Sequence, residues 1–274
     1  MSNVARRALL LVPRRLELVA SGRAAKATRT VYRPGKRLGM LARELAIVLP
    51  VGRRDPGGPS WPTVLEALGI VADGYAAIKS TGRSQWVAAV EQNGRVIAVV
   101  KVATGSQINV LREEMKASAR GADAAAGNFR VPRVLGSTVG GSYFAVAAEP
   151  APQSTLRFDL EQALGLAIAL ANAPSGPVLH GDLVPWNILG SSDVWLIDWE
   201  MAVAFRPGVD FAHYVLASAH IGALIGVDIA DRILNDEQSH LTRYAAATGV
   251  SIAVVRNSIA EYRREFFAQH GAHS

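Results

Sequence analysis

Residues 84–103, SQWVAAVEQNGRVIAVVKVA, are two apolar runs joined at Asn93-Gly94. Asn-Gly suits the left-handed positions of a two-residue turn, so the pattern predicts a β-hairpin. Residues 108–120, INVLREEMKASAR, set Ile108, Leu111, Met115 and Ala119 on one face of a helix. VPRVLG (131–136) and SYFAVAAEP (142–150) read as two more strands. Beyond PAPQS the period lengthens: residues 155–171 predict one helix, 211–229 a buried helix, and helices continue to the end. Nearer the start, Leu38, Leu41, Leu45 and Val48 predict a helix over 36–49, and PVGRRDPGGPS (50–60) reads as a linker. Strands first and helices later point to an α+β chain in two lobes. The expected division is an N-terminal extension and linker over 1–60, a small β-rich N-lobe over 61–150 and a mainly helical C-lobe over 151–274.

One stretch departs from this simple patterning. VLHGDLVPWNIL (178–189) places a polar cluster between two apolar flanks. The flanks Val178-Leu179 and Ile188-Leu189 predict two short buried strands. Polar residues between them sit on a tight loop held by packed backbone, where groups of fixed geometry are placed. VWLIDWE (194–200) follows and carries Asp198 in a similar apolar setting.

Composition narrows the chemistry. The chain has 274 residues, half of them hydrophobic, so it can bury a sizeable core. It has no cysteine, which excludes disulfides, thiolate metal sites and a cysteine nucleophile. Its six histidines show no paired metal-ligand spacing, and His213 and His220 read as buried core histidines. Charge is uneven: residues 1–60 hold 13 Lys and Arg against three acids, and the rest is slightly acidic. A basic leader of this kind fits an anionic membrane or carrier met through residues 1–55, and equally well a solvated, arginine-rich surface. With only Tyr32 and Trp61 near the basic residues, stacking on nucleic acid is unsupported and no nucleic-acid partner is expected. Pro13 cuts short the apolar run after Arg6-Arg7, so no secretory signal is expected. The expected location is the cytoplasm, either free or peripheral at the membrane.

Phosphoryl transfer needs a cation on the nucleotide phosphates, oxygen ligands for a bridging metal and a base for the acceptor hydroxyl. The chain offers these in order. Lys101 ends the second hairpin strand. Glu114 flanks the apolar face of the next helix at roughly 110° from its centre, against roughly 150° for Glu113, so Glu114 is the better partner for Lys101. Asp182 is the candidate base, and Asn187 and Asp198 are candidate magnesium ligands, because magnesium takes few hard oxygen ligands and completes its shell with water and phosphate. Taken singly, Asp182 reads more readily as a turn residue, Asn187 as a cap and Asp198 as a strand-end acid. The ordered set carries the reading.

HGDLVPWN followed by LIDWE resembles the catalytic and metal-binding loops of the aminoglycoside phosphotransferase and choline kinase-like family, and the resemblance spans roughly residues 61–220. It implies a bilobal protein-kinase-like fold and use of ATP and Mg2+. It also implies that Asp182 is the catalytic Asp, that Asn187 and Asp198 bind the metal, and that Lys101 pairs with Glu114 and the phosphates. His180 would support the loop, and Asp210 would brace its backbone from the start of the next helix. KSTGRSQW (79–86) stands where the family has its phosphate-covering loop, so the backbone of Ser80, Thr81, Gly82, Arg83 and Ser84 is expected to reach phosphate. Glu149 would mark the hinge that meets the adenine.

The acceptor follows from what is missing relative to protein kinases. Gly181 and Val184 replace their Arg and Lys, and only 11 residues separate Asp198 from Asp210, too few for a peptide-binding activation segment. A small-molecule or sugar hydroxyl is therefore favoured. The PWN…DWE wording also looks like uncharacterised phosphotransferases of cell-envelope polysaccharide assembly, which fits a glycan precursor. The competing reading is a nucleotide-binding pseudokinase or regulatory module, suggested by a phosphate loop with a single glycine, Gly82, beside bulky Arg83.

Overall fold

A computed structural model describes residues 16–21, 60–80, 84–125, 127–152, 157–190, 193–199, 205–235 and 240–270. The helix expected over 36–49, most of the 50–60 linker, and Thr81, Gly82 and Arg83 lie outside the described residues. Contacts group the chain into two units, one reaching Arg112 and resuming over Arg133–Pro150, the other holding Glu113–Pro132 and everything from Ala151 on. The first is β-rich and the second mainly helical.

The first unit holds strand β1 (Leu16–Ser21), helix α1 (Trp61–Ala67), and strands β2 (Gly74–Ser80), β3 (Gln85–Gln92), β4 (Arg95–Thr104), β5 (Val134–Val139) and β6 (Tyr143–Ala148). They form one sheet in the order β1-β2-β3-β4-β6-β5, with every neighbour antiparallel. The predicted hairpin is β3–β4, turned at Asn93 (φ 50°) and Gly94 (φ 67°). Two strands went unpredicted: β1, which comes from within the basic leader, and β2, whose GYAAIKS is too rich in alanine to signal a strand. β5 begins at Val134, past Pro132, which has no N–H to give a ladder. One face of the sheet packs Ala77, Ala88, Val90, Val100, Val102, Ala145 and Ala147 against Trp61, Val64 and Leu65 of α1. Strand alternation then turns Lys101 to the opposite face, level with Val87 and Val146.

Helix α2 (Gln107–Ala124) follows β4. Its buried stripe runs Leu111, Glu114, Ala117, Gly121, Ala124, whereas Ala119, expected on the apolar face, is exposed. The second unit then builds a helical core from α3 (Leu160–Ala171), α4 (Val209–His220), α5 (Val227–Asn235), α6 (His240–Thr248) and α7 (Ile252–His270), with a two-stranded ribbon of β7 (Ile188–Leu189) and β8 (Trp195–Leu196). Every residue of α4 up to Ala219 is buried, as expected of a helix apolar on all sides.

Three boundaries differ from expectation. α3 starts at Leu160 rather than 155, because the Asp159 side chain accepts the Gln162 N–H at 3.1 Å and caps it. The helix expected over 211–229 is two, α4 and α5. Its break follows from left-handed Ala223 (φ 48°), with the last carbonyls of α4 taken by Gly222 N–H (2.9 Å) and Leu224 N–H (2.8 Å). Val178-Leu179 is not a strand: the Val178 N–H donates back to Leu170 O at 3.0 Å, tying the segment to α3, and Ile188–Leu189 pairs with Trp195–Leu196 instead.

Candidate active site

Within the helical unit, the polar cluster of 178–189 is a loop fixed from below by one carboxylate. Asp210 opens α4, and its two oxygens accept the N–H groups of His180 and Gly181, each at 2.9 Å. Gly181 takes φ 82°, a left-handed turn that glycine adopts without strain. That turn lets successive N–H groups converge on one side chain. Asp210 is 4% exposed, and burial pushes its carboxyl above the ordinary range against the pull of the nearby imidazole and N–H groups.

His180 is fully buried and its ring is wedged under the loop. Burial holds it below the ordinary imidazole value, so it is neutral. Nδ1 accepts the Asp182 N–H at 3.3 Å, which leaves Nε2 to donate to Ile197 O at 3.0 Å. The ring lies 4.5 Å from that of Trp199, and Trp199 in turn fills the space left by Gly121 of α2. His180 therefore ties the Asp182 loop to the segment carrying Asp198.

Asp182 presents a carboxylate with 26% of its side chain exposed. Asn187 Nδ2 donates to Asp182 Oδ2 at 2.9 Å and to Asp182 O at 3.0 Å, closing the loop across the Pro185–Asn187 turn. With Nδ2 so committed, Asn187 Oδ1 is the end of the amide suited to a metal. Ile197 N–H donates to Asn187 O at 3.1 Å, and Ile188 pairs with Leu196, so Asn187 and Asp198 are carried on adjoining backbone. Asp198 itself sits at φ 69°, a left-handed conformation that Asp tolerates better than most residues. The donors are oxygens and few. Among the described residues no three His, Asp or Glu side chains cluster into a complete metal cage.

The remaining predicted residues fall elsewhere. In the β-rich unit, Lys101 is half-buried on β4, Ser84 precedes β3 and its carbonyl accepts the Thr104 N–H at 2.8 Å, and Ser80 ends β2. Glu149 follows β6, its N–H bonded to Arg133 O at 2.9 Å, one residue before the unit ends at Pro150. Glu114, assigned to the helical unit, is 8% exposed, whereas Glu113 is exposed and bonded to Lys116 at 2.7 Å. A cavity of about 500 Å³ in the β-rich unit, lined by Leu65, Ile70 and Tyr75 among others, contains none of the predicted residues.

The chain is similar to several solved structures of kinases. One is the bifunctional kinase-methyltransferase WbdD, at 15% identity and a TM-score of 0.40 over 66% of this chain and 43% of that one. A second is a putative fructosamine-3-kinase from Haemophilus somnus, at 11% identity and a TM-score of 0.39 over 73% and 95%. A third is an aminoglycoside phosphotransferase from Streptomyces rimosus, at 15% and 0.40 over 73% and 97%. The chain spans less than half the length of WbdD. No family model and no curated protein matches it. Likenesses of this size assign no family.

One residue of the site was missed in the sequence. His213, expected to be a core histidine, is indeed buried at 7% exposure, yet its Nε2 lies 2.9 Å from Asp182 Oδ1. Its Nδ1 is hydrogen-bonded to the Tyr262 hydroxyl of α7. The available signal was spacing: His213 stands three residues after Asp210 on one helix, so both face the same way. Nothing local to Tyr262 marks it, because its role depends on where α7 packs.

Proposed function

We propose that this protein is an ATP- and magnesium-dependent phosphotransferase that moves the γ-phosphoryl group to a hydroxyl of a small molecule, such as a sugar or a cell-envelope glycan precursor. The observation that carries the reading is the Asp182 carboxylate, partly open to solvent, gripped at both oxygens, and set on a loop whose backbone N–H groups converge on buried Asp210. Phosphoryl transfer is mostly positioning and charge stabilisation, and such a loop supplies positioning.

In this reading Asp182 orients the acceptor hydroxyl and takes its proton as the oxygen bonds to phosphorus and ADP leaves. Asn187 Oδ1 and the Asp198 carboxylate would hold Mg2+, which neutralises charge on the phosphate oxygens. Lys101, supported by Glu114, is assigned to the phosphates, the Ser80–Ser84 backbone to the same phosphates, and the segment at Glu149 to the adenine. His180 and Asp210 keep the loop in place. The basic leader is assigned to an anionic membrane or carrier, and among the described residues no helix is long and apolar enough to cross a membrane.

The test is a calorimetric titration of MgATP into wild type and Asp198→Ala, with slow ATP turnover followed in the same samples. Magnesium-dependent binding with turnover lost in the variant supports the reading. Binding that ignores magnesium, with no turnover, replaces it with a pseudokinase.

A further inference from the structure

We propose that His213 and Tyr262 are positioning residues for Asp182: a directed hydrogen-bond chain from the Tyr262 hydroxyl through the His213 ring to Asp182 Oδ1 fixes the rotation of the carboxylate. The inference rests on the phosphotransferase reading and names two residues that serve its base.

The direction of each proton follows from the partners. An ionised carboxylate only accepts, so His213 Nε2, at 2.9 Å from Asp182 Oδ1, carries a proton. In the proposed chain the ring's one proton sits on Nε2, so Nδ1 accepts from the Tyr262 hydroxyl. Burial holds that hydroxyl above the ordinary phenol range, which keeps its proton available to give. Asn187 Nδ2 meets the second oxygen at 2.9 Å. Two donors from two different elements, one on each oxygen, leave the carboxylate no free turn about its Cβ–Cγ bond.

This arrangement reverses the familiar triad, in which a buried carboxylate orients a histidine. Here a buried histidine orients a carboxylate. His213 cannot serve as the base itself or receive the proton that Asp182 takes, since its near nitrogen is already protonated and its side chain is only 9% exposed, against 26% for Asp182. It approaches from the interior, behind the open carboxylate.

Helix α7 holds the outer end of the chain. Phe266 packs edge-on to the His213 ring at 6.0 Å. One turn away, Glu265 takes Arg206 in a two-pronged pair at 2.8 and 2.7 Å, and the Arg206 guanidinium lies over the Tyr262 ring at 5.6 Å. The tyrosine is thereby fixed in place.

The experiment measures magnesium-dependent ATP turnover and MgATP affinity of the full chain as wild type, His213→Phe, His213→Gln and Tyr262→Phe. It adds 15N NMR of the histidine rings. Removing the Nε2 donor should cost His213→Phe roughly tenfold to a hundredfold in kcat, the size of effect that a misplaced catalytic group produces, with nucleotide affinity within about twofold of wild type. Gln can place an amide donor near the Nε2 position, so His213→Gln should regain most of the loss. Tyr262→Phe should lose a few-fold, and the wild-type His213 ring should show the Nε2–H tautomer. Active wild type with unaffected variants, a loss that Gln does not restore, or an Nδ1–H tautomer overturns the proposal alone. A wild type without turnover overturns the phosphotransferase reading and this proposal together.

Discussion

Gly121 offers a way to move the candidate base from a distance. A Cβ added there would lie 2.8 Å from Trp199 Cε2 and closer still to the outer edge of that ring. Carbon atoms at rest sit about 3.5–4.0 Å apart, so in Gly121→Ala the indole or the helix must shift by on the order of 1 Å. The indole has little room: Trp199 is 2% exposed and His180 lies against it at 4.5 Å. The displaced ring pushes on His180, whose Nδ1 takes the Asp182 N–H and whose Nε2 holds Ile197. Overpacking of this kind costs about 1–3 kcal/mol, and the gain of about 0.5–1 kcal/mol from replacing a helical glycine by alanine offsets part of it. The stability change is therefore small, about 0–2.5 kcal/mol destabilising. Turnover should suffer more, falling up to about a hundredfold, since misplacement by about 1 Å has that effect on catalytic groups. The assay is kcat for magnesium-dependent ATP turnover beside thermal unfolding, for Gly121→Ala, Trp199→Phe and the double variant. The smaller Phe ring should restore much of the activity lost to the added methyl, with a coupling of about 1–3 kcal/mol. Wild-type turnover in Gly121→Ala would refute the link from helix α2 through Trp199 and His180 to the loop.

Further outcomes follow from the same geometry. Asp182→Asn should lower kcat by about a hundredfold or more while leaving MgATP affinity close to wild type, and equal turnover in the variant removes Asp182 from its role. Arg206 holds the Glu265 carboxyl below its ordinary value of 4.5, so the pair stabilises the fold fully above about pH 4.5 and its contribution fades as pH falls through the lower folded value. Glu265→Gln should accordingly unfold at a lower temperature than wild type at pH 7, with the gap closing in acid; a gap that does not narrow as the pH is lowered contradicts the pairing. Replacing Arg6, Arg7, Arg14 and Arg15 by Gln should weaken binding to vesicles rich in anionic lipid in a salt-dependent way, as a sedimentation assay will report. Substitution is preferable to deletion of residues 1–55 here, because deletion would also remove strand β1.

What could be read from the sequence was what local chemistry decides. The Asn93-Gly94 turn needs two left-handed residues and the sequence provides them, so the β3–β4 hairpin was visible. Asp182, Asn187 and Asp198 could be singled out as candidates because their spacing belongs to one short loop and ribbon. Asp159 and Gln162 form a capping pair that places the start of α3 at Leu160, and the expected start at 155 overlooked it. The break after α4 is marked by Gly222 and Gly226 but hidden by the apolar residues around them, which continue the helical pattern. β2 was hidden for a different reason: its alanines gain strand character only by packing beside β3. His213 and Tyr262 lie further out of reach. They are 49 residues apart, and only the packing of α7 on α4 brings them into one chain of hydrogen bonds.

That separation has a consequence for the newly made protein. Asp182 leaves the ribosome about eighty residues before Tyr262, which at roughly 5–20 residues per second is an interval of about 4–16 s. During it the loop can already be tied to Asp210 and His213, since α4 follows closely. The outer support has not yet been synthesised. The nascent chain thus makes its candidate base early and secures it late, so the activity proposed for it stays blunt until α7 has docked.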